Sequence, residues 1–117
     1  MTTVLSRAEI RRRLKGSPPL VEDLIDLEQQ LQPNGIDLTL REIGLLQSAG
    51  TITVDNRQRQ VPEVASLVFD GMGYIDLVPG IYLITYNEVV HLPEDITALA
   101  APRSSLLRCG VTVETAV

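Results

Sequence analysis

Apolar positions follow two regimes along this chain. Leu5, Ile10 and Leu14 suit helical spacing between Ser6 and Gly16, whereas from Ile36 onward apolar residues alternate with polar ones in short runs. The first regime predicts one short amphipathic helix. Ser6 and Glu9 have the spacing of a capping box, Leu5 and Ile10 can make the accompanying staple, and Gly16 stops the helix before Pro18-Pro19. The second regime predicts strands. Pro33 and Asn34-Gly35 set a tight turn, after which Ile36, Leu38 and Leu40 start a strand with Asp37 and Thr39 on its opposite face. Further strands are expected at 43–46, 51–54, 66–69, 74–77, 81–86, 89–92 and 96–100, with a polar hairpin at 55–60 and turns at Gly71, Gly73 and Pro79-Gly80. Many short strands between turns indicate a closed or double-sheet β architecture, which limits exposed edges. No repeat or low-complexity linker divides residues 1–117, so a single domain is expected.

Composition narrows the class. A chain of 117 residues that is 44% hydrophobic can bury one core, near the size at which association supplies extra buried area. The formal net charge of −5 argues against non-specific binding to a nucleic acid polymer, which rewards a basic surface. Local basic groups remain. Arg7, Arg11, Arg12, Arg13 and Lys15 make the expected helix basic, as either a solvated face or a contact for a nucleotide or a neighbouring subunit. Cys109 is the only cysteine, which rules out an intramolecular disulfide and fits a reducing cytoplasmic compartment; it is expected to be a small buried apolar group. The sequence shows neither a signal pattern nor an apolar run of membrane-spanning length.

The densest chemistry lies at Arg103-Ser104-Ser105-Leu106-Leu107-Arg108, entered through Pro102 and closed by Gly110. Two guanidinium forks and two hydroxyls suit a polyanion such as a triphosphate, and a helical turn opened by Ser104 or Ser105 would add exposed amides. The same residues also describe a solvated loop. His91 is the only histidine, so with one cysteine no His/Cys/Cys zinc site of the zinc nucleobase deaminases can form. Neither a Walker loop nor a G-x-G-x-x-G turn is present. Glu22, Asp23, Asp26 and Glu28 form an acidic cluster best read as a solvated loop.

Two of these segments, Gln32 to Leu38 and Arg103 to Leu106, resemble motifs of the trimeric dUTPases and the related dCTP deaminases. Asp55-Asn56-Arg57, Pro79-Gly80-Ile81-Tyr82 and Leu92 to Ile96 follow in the same order, and the similarity is closest to the archaeal-type dUTPase branch. The resemblance implies a mainly β, distorted jelly-roll or β-clip barrel with a short N-terminal helix, assembled as a homotrimer. It implies hydrolysis of dUTP to dUMP and pyrophosphate with Mg²⁺ on the triphosphate. Arg103, Ser104 and Ser105, with Leu106, Leu107 and Arg108 in the same segment, would hold phosphate, and Asp37 would reach the magnesium through water. The family's general base belongs to a third motif expected beyond Val117, so no residue here is assigned that role. A dCTP deaminase, including one that also hydrolyses the triphosphate, is the second reading, favoured by Arg108. A nucleotide-binding β-barrel trimer without turnover is the third.

Overall fold

A computed structural model describes residues 3–116. Helix α1 (Arg7–Arg13) shows one half of the expected capping box: the Ser6 hydroxyl accepts from the Glu9 backbone N–H at 3.2 Å, while the Glu9 carboxylate accepts from Arg12 and Arg13 instead of the Ser6 N–H. Its one fully buried side chain is Ile10. Strand β1 (Val21–Glu22) leads into a single turn of helix, α2 (Leu27–Gln30), whose N-cap Asp26 accepts from Gln29 N–H. A two-residue turn, Pro33-Asn34, then joins β2 (Leu31–Gln32) to β3 (Gly35–Ile36) in antiparallel register, Leu31 opposite Ile36 and Gln32 opposite Gly35. Of the residues expected to set the turn, Pro33 and Asn34 make it and Gly35 already begins β3.

Strand β4 (Leu40–Leu46) is the centre of the largest sheet. It pairs antiparallel with β5 (Val64–Ser66) on one side and with β6 (Tyr82–Tyr86) on the other, with a bulge between Leu40 and Glu42. A fourth pairing closes β1 on β7 (Val89–Val90), and the chain ends its regular structure in α3 (Ser104–Arg108). This is the antiparallel, mainly β architecture expected, fronted by one short helix.

Three expected strands are absent, and the one expected at 66–69 lies earlier, at Val64–Ser66. At 51–54 only Thr51 pairs, with Gln60; beyond it the Thr53 hydroxyl bonds to the Asp55 carbonyl, and Asp55 caps a 3-10 turn at Asn56–Gln58. At 74–77 the Tyr74 N–H goes to the Asp70 carboxylate at 2.9 Å, and its carbonyl accepts from Asp70 N–H. At 96–100, Ile96 N–H turns back to Pro93. Cys109, expected to be buried, is exposed, because it caps a helix that lies on the surface.

Among the described residues the buried apolar set is small: Ile10, Val21, Leu31 and Ile43. Two polar residues share that interior, Gln30 and Glu88, and both are fully bonded. Outside it, Ile52, Val54 and Leu99 are almost wholly exposed at 93%, 109% and 97%. Among the described residues no helix is long and apolar enough to cross a membrane.

Candidate functional site

Two of the sequence-selected segments meet. The Asp37 carboxylate lies 3.5 Å from the Arg103 guanidinium, with Asp37 mostly buried and Arg103 71% exposed. The Asp37 Oδ2 atom also accepts from Gln32 Nε2 at 3.1 Å, so one residue from each segment converges on one oxygen. Asp37 does not begin a strand as expected. It sits in the extended stretch between β3 and β4, where its N–H donates to the Gln30 carbonyl at 2.8 Å and its own carbonyl accepts from Gln30 Nε2 at 2.9 Å.

The second segment is helical, starting at Ser104 with Arg103 in the N-cap position and no side chain capping its first amides. Ser104, Ser105, Leu106, Leu107 and Arg108 are all exposed. Gly110 ends the helix in the left-handed conformation at φ 77°: its N–H donates to Leu107, and Val111 N–H donates to Leu106 at 2.9 Å. That pair of bonds is a Schellman motif, which glycine completes without a Cβ clash. The serine hydroxyls and both arginines are thus presented on a short, firmly stopped turn.

The remaining candidates are accounted for elsewhere. The basic face of α1 is engaged within the chain. Arg11 pairs with Glu28 at 2.7 Å, Arg13 with Glu9 at 3.0 Å and Asp95 at 3.4 Å, and Arg7 bonds the Leu31 carbonyl. The Arg12 hydrogen bond, against some desolvation and with Arg13 adding, holds the Glu9 carboxyl down at about 2. His91 Nε2 lies 2.7 Å from Glu22, clasping β7 to β1. The acidic cluster is dispersed: Glu22 turns to His91, Asp26 caps α2 and Glu28 meets Arg11. Among the described residues no three His, Cys, Asp or Glu side chains gather as a metal site. Shallow clefts of about 470 and 400 Å³ run along α1, away from Asp37 and Arg103, which occupy an open face.

A single carboxylate is nevertheless the donor set that suits magnesium carried by a nucleotide, since this ion keeps waters and phosphate oxygens and takes only one or two protein ligands. Asp37 fits that role, because both its side-chain partners sit on Oδ2. Sequence reasoning missed Glu88, whose buried carboxylate binds the flanks of Asp37; an Asn-Glu pair in a turn carries no sign that the glutamate is inside.

Residues 4–117 match the family described as dCTP deaminase-like. The chain belongs to that family. A probable deoxyuridine 5'-triphosphate nucleotidohydrolase of Methanosarcina mazei is 48% identical over 97% of this chain, and one of Methanococcoides burtonii is 47% identical over 98%. The deoxyuridine 5'-triphosphate nucleotidohydrolase of Methanocaldococcus jannaschii is 34% identical over 77% of the chain. This dCTP deaminase-like chain spans 67% and 68% of the first two relatives and 58% of the third. No solved structure matches it.

Proposed function

We propose that this chain forms the nucleotide-binding part of a dUTP diphosphatase, which cleaves dUTP to dUMP and pyrophosphate. The observation that carries the reading is the approach of Asp37 to Arg103, which brings an anion-binding segment and a single carboxylate to one open face. The names of its archaeal relatives supply the substrate. Arg103, with Ser104 and Ser105, orients phosphate oxygens, and Arg108 adds a second positive charge; their work is positioning and charge neutralisation. When bound, magnesium supplies further neutralisation of the triphosphate, and Asp37 is the residue that would hold it, through water.

The ion pair now joining Arg103 to Asp37 is exposed on one side and loose, worth at most about 1 kcal/mol. Charge-assisted bonds to phosphate, at about 1.5–3 kcal/mol each, exceed it, so a triphosphate can take the guanidinium from Asp37 at little cost. The open setting of the site accords with assembly as a homotrimer in which a neighbouring subunit covers this face and the sheets close into barrels, and a single cysteine accords with the cytoplasm. The second reading, a dCTP deaminase, rests on the family description and on Arg108 in the same helix.

Calorimetric titration with dUTP and dCTP in magnesium tests the assignment and ranks the two bases. Arg103→Ala should weaken nucleotide binding by about 1.5–3 kcal/mol, the value of a lost charged hydrogen bond. Unchanged affinity in both Arg103→Ala and Ser104→Ala would remove the site.

A further inference from the structure

Glu88, in the turn between β6 and β7, is 6% exposed and has no ion-pair partner among the described residues. Its carboxylate is satisfied by three donors: Oε1 accepts from Gln30 Nε2 and from the Thr39 hydroxyl, both at 2.6 Å, and Oε2 accepts from Thr39 N–H at 2.8 Å. A buried charge without a counter-ion is a costly way to join two loops, since neutral groups make similar bonds with a smaller desolvation penalty. What the charge adds is three short, directional bonds with fixed polarity.

Those bonds act on both flanks of Asp37. Gln30 holds the Asp37 backbone at its N–H and its carbonyl, and the Gln30 side chain is itself fixed between Glu88, the Asp37 carbonyl and the Asp26 N–H. Two residues later, Thr39 is held by Glu88 and by Asn87, which donates from its backbone to the Thr39 carbonyl and from its side chain to the Thr39 hydroxyl, each at 2.9 Å. We infer that Glu88 is a positioning residue: its buried carboxylate locks Gln30 and Thr39 so that Asp37 faces Arg103 and the bound nucleotide. The inference rests on the reading of Asp37 as the carboxylate of the nucleotide site.

Glu88→Gln tests it without changing shape. The amide must set an N–H₂ against Gln30 Nε2 or the Thr39 N–H, and Gln30 cannot flip without losing its bonds to Asp37 and Asp26. By the usual effect of removing the support of a ligating side chain, dUTP affinity in magnesium should fall about tenfold, while affinity in EDTA should change by less than about twofold. In an Asp37→Asn background the same substitution should cost nothing more, because Glu88 acts through Asp37. Thr39→Val removes one of the three bonds and serves in the same arms should Glu88→Gln fail to fold. Full magnesium-dependent affinity in a folded variant, equal loss with and without magnesium, or losses that add to those of Asp37→Asn would each overturn the inference. Amide exchange at Asp37 separates this from the functional reading. If the parent chain binds no dUTP, the functional reading fails; faster exchange at Asp37 in the variants then still supports the positioning role, and unchanged exchange overturns it.

Discussion

Of the carboxyls that tie the stability of the chain to pH, Glu88 is the buried one. Burial alone would raise its pKa, but hydrogen bonds from the Thr39 backbone and hydroxyl, with that from Gln30, outweigh burial and hold it below the ordinary value. A carboxyl depressed in the folded state contributes stability above its unfolded value of about 4.3 and loses it as pH falls through the lower folded value. Glu88→Gln should therefore be less stable than the parent at pH 7, by about 1–3 kcal/mol for an unsatisfied buried group. The gap should narrow in acid. Glu9, Glu28, Asp55 and Asp70 are also depressed, but they titrate in both proteins and cancel in the comparison. Denaturant midpoints at pH 7 and pH 3 check this, and a gap independent of pH would mean that the carboxylate is not its source. Arg103 stood out in the sequence within a dense run of guanidinium and hydroxyl groups, whereas Asp37 was reached only through the family resemblance of its segment. Glu88 was not legible, since its importance comes from burial by residues far away in the chain.

Among the elements, those with local start and stop signals were read from the sequence, whereas of the expected strands those at 43–46 and 81–86 formed and those at 51–54, 74–77 and 96–100 did not. Helix α1 follows from Ser6 and Glu9, and α3 ends where Gly110 ends it, because caps are decided within a few residues. The alternation at 51–54 and 96–100 also suits a strand, yet alternation states only which face a strand would show and cannot supply a neighbour with free backbone groups. Gly110 offers a direct test. A Cβ at its positive φ carries a penalty of about 1–2 kcal/mol, so Gly110→Ala should destabilise the end of α3 by that amount. The cost should appear mainly as weaker nucleotide binding, because α3 lies on the surface and contributes no fully buried side chain to the core. An unaltered affinity in Gly110→Ala would separate the helix stop from the presentation of Ser104 and Ser105.

For the molecule as a whole, surface area is the informative quantity. The chain exposes 9704 Å² at 12.8 kDa, where a folded monomer of that mass typically exposes about 6,300 Å². Its radius of gyration of 17.0 Å likewise exceeds the roughly 13 Å usual for this length. Exposed apolar side chains such as Ile52, Val54, Val68 and Leu99 account for part of the excess, and the few apolar side chains buried among the described residues cannot offset the cost of ordering so long a chain. Sedimentation should accordingly show association, with three chains the expected species. A well-folded monomer at high micromolar concentration would contradict it. When the missing burial is supplied by other molecules, folding becomes a reaction of more than first order. The melting temperature should then climb with protein concentration, and plain dilution in buffer should unfold the chain without heat, acid or denaturant.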